Sequence, residues 1–175
     1  MVLVPMILSL TVHEYAHAWS AKKLGDDTAQ MQGRLNLNPL SHIHWVGTVL
    51  LPLILLITGS SFFFGWAKPV PVNPLRFRRD VMMRTGMMLV AAAGPLSNLI
   101  LAILAQGLIA ILYHTQTLAV GPALDFLIRL IMVNVGLAIF NLIPVYPLDG
   151  QKVVVGFLSH EAARRFELFN MRFGS

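Results

Sequence analysis

Residues 87–112 read MMLVAAAGPLSNLILAILAQGLIAIL, a stretch that contains no charged side chain. A helix of about 20 residues, rising about 1.5 Å per residue, is long enough to cross the hydrocarbon core of a bilayer. This stretch is therefore predicted to span a membrane as one helix. Its Gly94-Pro95 pair would break a soluble helix, but in a membrane the neighbouring helices satisfy the freed backbone groups. We expect a kink or a close helix contact there.

The composition of the whole chain agrees with a membrane protein. Of its 175 residues, 56% are hydrophobic and 12% are charged, and the mean hydropathy is +0.69. An ordinary soluble domain carries about 25% charged residues. The high hydrophobicity also excludes a disordered chain, which would have too little apolar surface to bury. The length predicts one domain, residues 1–175, embedded in a membrane.

Charge and cysteine content narrow the classes of partner and site. A net charge of +5 could indicate nucleic-acid binding, but in a membrane protein Lys and Arg more often mark the cytoplasmic side. We therefore expect the lipid bilayer, and no nucleic acid, as a partner. The chain has no cysteine, which excludes disulfides, thiolate metal sites and cysteine nucleophiles. Any metal must be held by His, Asp or Glu.

Two further segments are predicted to cross the membrane. Residues 124–143 are apolar except for a few polar side chains, of which Asp125 and Arg129 can pair on one helix face. Asn134 in the same segment is predicted to form an interhelical hydrogen bond. Residues 2–24 begin apolar and then carry polar groups, as in a membrane helix whose polar side chains face inward.

Residues 43–64 are also apolar, but Pro52 interrupts them. Lys and Arg both precede and follow this segment, so both of its ends are predicted to be cytoplasmic and the segment to be re-entrant or partly inserted. The N-terminus is then outside, and the first helix runs inward. The predicted fold is an all-α polytopic membrane protein with three core transmembrane helices, this inserted segment and a small membrane-associated β element.

The β element is predicted from two intervals. Residues 32–39 alternate polar and apolar side chains, which is the period of a strand. Residues 64–74 contain three prolines, which favour an extended backbone at a sheet edge. Irregular backbone at membrane depth needs protein or water around it, so we expect both intervals beside a wet cavity.

The sharpest chemical signal is His13-Glu14-Tyr15-Ala16-His17, which fits the pattern H-E-x-x-H. On a helix His13 and His17 lie one turn apart and can bind one metal ion, while Glu14 can reach a water on that ion. Zinc lowers the pKa of such a water to about 7, and the carboxylate can take its proton. A chance match or a pair of packing histidines is the alternative, but these groups are costly inside a membrane helix.

A catalytic zinc usually has a third protein ligand. The candidates are the acids and four other histidines: His42, His44, His114 and His160. Asp149 is favoured, because it directly follows an apolar helix and two prolines that hold the backbone extended. Its alternative role is to cap the following helix.

Together these motifs resemble the site-2 protease family of intramembrane zinc metalloproteases, in its compact prokaryotic form. The resemblance rests on the H-E-x-x-H pattern, on Gly94-Pro-Leu-Ser-Asn98, and on Asn141-Leu-Ile-Pro-Val-Tyr-Pro-Leu-Asp149-Gly150. The sequences of residues 34–39 and 65–74 also look like this subgroup. The motifs cover nearly the whole chain in the expected order.

The resemblance implies one zinc ion per chain, with His13, His17 and Asp149 as ligands and Glu14 as the general base. It implies that Asn141 lies near the site and hydrogen bonds the substrate or the developing oxyanion, although an interhelical bond is its alternative role. It further implies transmembrane proteins or peptides as substrates and the prokaryotic inner membrane as the location. Because the family usually has another transmembrane helix after the Asp-Gly helix, the chain is expected to be truncated before it.

A transmembrane substrate must unwind before it is cut, which exposes backbone groups that need new partners. We hypothesise that it pairs with one of the two predicted strands.

Two other functions stay open from the sequence. Inward-facing His and acidic residues also mark ion pathways, so a membrane ion or metal transporter is one alternative. The other is an inactive relative that binds transmembrane segments. His42 and His44 are read as a solvated loop pair, with gating, substrate binding or metal ligation as the other roles.

Overall fold

The computed structural model describes residues 2–59, 65–115 and 121–173. The described helices, in chain order, are α1 (Leu3–Lys23), α2 (Thr28–Met31), α3 (Pro39–His42), α4 (Leu51–Ile57), α5 (Met83–His114), α6 (Pro122–Asn141), α7 (Asp149–Phe157) and α8 (His160–Phe173). A π-helical segment, Trp45–Leu50, leads into α4, and a 3-10 turn, Pro74–Arg76, precedes α5.

Two helices are long and apolar enough to cross a membrane, α5 and α6. Each helix contains an apolar window of 18 residues. Within the chain, 33% of this window is buried in α5 and 17% in α6. An apolar helix whose sides are mostly unburied fits a bilayer better than the core of a soluble protein. The predicted spans at residues 87–112 and 124–143 are thus confirmed as helices. The third predicted span, residues 2–24, is helical as α1 but is not one of these two apolar helices. The predicted pair of Asp125 and Arg129 forms on α6 at 2.7 Å.

α5 lies at the centre of the described helices and packs against α1, α6 and α7. Its buried positions are mostly small residues, including Gly94, Ala102 and Ala105. Small side chains let helix backbones approach closely without a hydrophobic driving force from water. Pro95 lies inside α5, and the helix continues past it. Gly94 lies directly against His13 and His17 of α1, so the predicted close contact is found within an unbroken helix.

The predicted strand at residues 32–39 is wrong: residues 32–38 form turns and irregular backbone, and Pro39 begins α3. Gly33 has a φ of +65°, and the side chain of Asn36 donates to the Gly33 carbonyl while accepting from the backbone N–H of Asn38. Asn38 in turn caps α3. Short polar side chains that bond to nearby backbone replace the hydrogen bonds that a neighbouring strand would supply.

The predicted strand at residues 64–74 is also wrong for its described part, residues 65–74, which joins no sheet; residue 64 lies outside the described ranges. Trp66 N–H donates to the Gly47 carbonyl at 3.2 Å, and Lys68 N–H donates to the His42 carbonyl at 2.9 Å. These two backbone N–H groups, which would bond to a neighbouring strand in a sheet, are therefore bonded to helical segments instead. Residues 65–73 form an irregular segment, which we call the proline segment.

The apolar residues at 43–64 are helical over Trp45–Leu50 and Leu51–Ile57, and residues 60–64 lie outside the described ranges. These six and seven residues span about 20 Å at the rise of an α-helix, against about 30 Å for a hydrocarbon core. The described helix is too short for a straight crossing.

Candidate metal centre

His13 and His17 lie one turn apart on α1 and point to the same place. Their side chains are buried, and their Nε2 atoms are 3.0 Å apart. This is the arrangement that the spacing of the two histidines predicts on a helix.

Asp149 reaches the same place from the start of α7. Its Oδ2 atom lies 3.2 Å from Nε2 of His13 and 3.2 Å from Nε2 of His17. The helix cap position is occupied by Leu148, which makes no side-chain capping bond. The carboxylate of Asp149 is thus directed at the two imidazoles.

The hydrogen bond at Nδ1 of His17 shows that the proton of the neutral ring is on Nδ1. Its Nδ1 atom lies 2.7 Å from the backbone carbonyl of Val90 on α5. A carbonyl only accepts hydrogen bonds, so Nδ1 must donate, which leaves a lone pair on Nε2 of the neutral ring. His13 has the same arrangement, with Nδ1 2.7 Å from Oδ1 of Asn98.

Glu14 lies beside this group, also buried. Its Oε2 atom accepts a hydrogen bond of 2.8 Å from the backbone N–H of Val70 in the proline segment. The bond fixes the position of the carboxylate and joins α1 to that segment.

Comparison with known proteins identifies the family. A model of the family described as Peptidase family M50 matches residues 1–174. The chain belongs to peptidase family M50. The resemblance to site-2 proteases is thereby confirmed.

Two proteins of similar sequence are each named "Putative zinc metalloprotease". YwhC of Bacillus subtilis is 43% identical over 155 residues, which cover 86% of this chain and 66% of YwhC. Rip2 of Mycolicibacterium smegmatis is 29% identical over 164 residues, which cover 94% of this chain and 60% of Rip2. The chain thus spans about two thirds or less of the length of these relatives. No solved structure matches it significantly.

The three side chains fit the zinc that the names of these relatives imply. Zinc bonds of about 2.0–2.1 Å in a tetrahedron place neighbouring ligand atoms about 3.3 Å apart. The distances of 3.0 to 3.2 Å among His13, His17 and Asp149 are close to that spacing. When deprotonated, each of the three atoms has a lone pair available, which is the state that a metal ligand requires. In the described parts of the chain this is the one group of His and acidic residues that could hold a metal ion.

The candidate metal ligands, His13, His17 and Asp149, and the side chain of Glu14 line a cavity of about 860 Å³. Asn141, the last residue of α6, lines the same cavity. Its Nδ2 atom donates to the Leu137 carbonyl one turn earlier at 3.0 Å. Asn141 is therefore beside the site, and one of its two amide hydrogens is used within its own helix.

His42 and His44 are not part of the group that could hold a metal ion. His42 is 2% exposed and its Nε2 bonds to the Asn36 carbonyl at 2.9 Å, so the description of a solvated residue is wrong for it. His44 accepts a hydrogen bond from Gly47 N–H at 3.2 Å and caps the π-helical segment. Both side chains hold the backbone that supports the proline segment.

Two contributions to this M50 site could not be recognised from the sequence. Val70 N–H and the Val90 carbonyl hold Glu14 and His17, but every residue except proline carries both of these backbone groups. Only packing shows which of them meets the site. The Gly94-Pro95 pair did signal a close contact, although the sequence did not show that the histidines are what lies against it.

Proposed function

We propose that residues 1–175 form one intramembrane zinc metalloprotease domain that hydrolyses peptide bonds within or near transmembrane segments of membrane proteins. The observation that carries this proposal is the convergence of His13, His17 and Asp149 beside Glu14, on helices packed around an apolar span. The membership of family M50 supports the reaction class.

In this proposal His13, His17 and Asp149 hold the zinc. When bound, zinc lowers the pKa of a coordinated water to about 7 and polarises the scissile carbonyl. Glu14 is the general base. Because its Oε2 atom is held by Val70 N–H, its Oε1 atom takes the proton, which it later gives to the leaving amine.

Asn141 is the candidate for stabilising charge in the transition state. Its amide has two hydrogens, of which one bonds to Leu137, so the second can donate to the oxygen on which negative charge develops. Its place at the cavity that Glu14 also lines supports this role.

The proline segment is the candidate for binding the unwound substrate. Its N–H groups at residues 66, 68 and 70 face the helices. Bonded N–H groups at every second residue are the pattern of an extended chain, in which the backbone groups of the intervening residues, Ala67, Pro69 and Pro71, face the opposite side. Ala67 and Pro69 line the cavity. This outer edge offers three carbonyls but only one N–H, at Ala67, because proline has none.

The proposed protein crosses the membrane three times, with α1, α5 and α6. α1 is the third crossing, since its 21 residues are long enough and its polar side chains face the other helices. The π-helical segment and α4 enter the membrane from the cytoplasmic side without crossing it. The protein is then a multi-pass protein of a prokaryotic inner membrane.

The direct test is cleavage of a panel of membrane-spanning peptides by the wild type and by Glu14→Gln, with zinc content measured in both. Glutamine has the shape of glutamate but cannot take a proton, so Glu14→Gln should retain zinc and lose cleavage by at least about 100-fold. Equal cleavage by both proteins would refute the proposed mechanism. Zinc bound to both without any cleavage would instead favour the inactive relative.

A further inference from the structure

Three side chains form a buried hydrogen-bonded chain that ends on His13. They are Ser9 on α1, Asn134 on α6 and Asn98 on α5, and each is 0% exposed. Polar groups buried among apolar helices are costly unless they are bonded. The partners of each group therefore decide which way every hydrogen bond in the chain runs.

The direction is fixed first at Asn134. The hydroxyl of Ser9 donates its one hydrogen to the Pro5 carbonyl at 2.7 Å, so it can only accept from the Asn134 amide atom 2.8 Å away. The same amide atom lies 2.8 Å from the Leu130 carbonyl, which also only accepts. Both contacts require it to be Nδ2. The other amide atom of Asn134 is then Oδ1.

The orientation of the Asn134 amide fixes the orientation of the Asn98 amide. Nδ2 of Asn98 donates to Oδ1 of Asn134 at 2.7 Å and to the Ser9 carbonyl at 3.2 Å. Turning the Asn98 amide over would place its oxygen against two acceptors. Oδ1 of Asn98 must therefore face His13, and Nδ1 of His13 must donate to it.

We propose that Asn134 is a positioning residue for the metal centre, which acts through Asn98 to fix the tautomer of His13. With the proton held on Nδ1, the lone pair of Nε2 is free for zinc; with the Asn98 amide reversed, Nδ1 would accept and Nε2 would carry the proton. The inference rests on the proposal that His13 and His17 bind the metal.

His17 provides an internal comparison. Its Nδ1 bonds to the backbone carbonyl of Val90, which cannot turn over. The tautomer of His17 therefore does not depend on Asn134, although both histidines lie in the same site.

The test is to read both tautomers by nitrogen NMR of the metal-free protein labelled with ¹⁵N-histidine, in lipid nanodiscs. In the wild type both rings should carry the proton on Nδ1. Asn134→Leu keeps a similar volume but removes the shorter of the two hydrogen bonds that orient Asn98, leaving only the 3.2 Å bond to the Ser9 carbonyl. His13 should therefore show a mixture of tautomers while His17 stays unchanged. Zinc affinity, measured by competition with a chelator, should fall about 10- to 100-fold.

Ser9→Ala is the matched control. It removes one member of the buried chain but leaves the Leu130 carbonyl to orient Asn134, so His13 should keep the wild-type tautomer. An unchanged His13 signal in Asn134→Leu would overturn the proposal. A wild-type His13 that carries its proton on Nε2 would also overturn it, and this measurement needs no variant to fold. Because the tautomers are read without zinc or substrate, a failure of peptide cleavage would contradict only the proposed function.

Discussion

Gly94 lies where α5 comes closest to the two histidines of α1. A Cβ atom added to it would lie 2.5 Å from Nε2 of His17 and 2.6 Å from Cε1 of His13. Gly94→Ala should therefore displace both imidazoles, since neither ring can remain in place at such distances. We expect zinc affinity to fall at least about tenfold, because metal sites depend on the orientation of their ligands. Competition with a fluorescent chelator measures this change.

Gly107→Ala is the matched control on the same helix. A Cβ at Gly107 meets nothing within 4 Å. Alanine has a higher helix propensity than glycine, so this substitution should leave both zinc affinity and folding intact. If Gly94→Ala bound zinc as tightly as Gly107→Ala, the close contact between α5 and the histidines would be contradicted.

At the residue scale the sequence predicted what depends on local spacing. The positions of His13, Glu14 and His17 follow from one helical turn, and the structure places all three at the cavity. Asp149 was favoured over other acids by its prolines and by the resemblance. That its carboxylate meets the imidazoles, 136 positions away from His13 in sequence, is decided by how α7 packs on α5.

The proline segment shows why a pattern of extended backbone does not establish a strand. A strand requires a partner backbone on at least one side, and the sequence cannot show what lies beside an extended interval. Here one side bonds to helical segments and to Glu14. The other side is the candidate edge for substrate.

If the substrate pairs with this edge, alternate N–H groups of its backbone donate to carbonyls of the proline segment. We expect N-methylation of alternate amides in a peptide substrate to reduce kcat/KM at least about tenfold in one register, because each methyl group removes a donor to the carbonyls of Ala67, Pro69 or Pro71. The same modifications shifted by one residue should have little effect, since those amides face away. Equal loss in both registers would count against pairing with the proline segment.

At the scale of the whole molecule, the proposed topology can be tested with single cysteines because residues 1–175 contain none. Met31, Met82 and Tyr113 are 62%, 74% and 73% exposed. In intact cells a membrane-impermeant maleimide should label Tyr113→Cys but not Met31→Cys or Met82→Cys, and after lysis it should label all three. A full crossing between residues 43 and 64 would reverse this result for Met82→Cys and Tyr113→Cys.

The sequence by itself determined the membrane class, the two long spans, the histidine pair with its glutamate, and the family resemblance. Each of these depends on composition or on spacing within one segment, where helix geometry is fixed. The tertiary structure decided the rest: the meeting of Asp149 with the histidines, the attachment of Glu14 to the proline segment, and the buried chain behind His13. These depend on backbone groups and on side chains from separate helices, whose distances are set only when the helices pack.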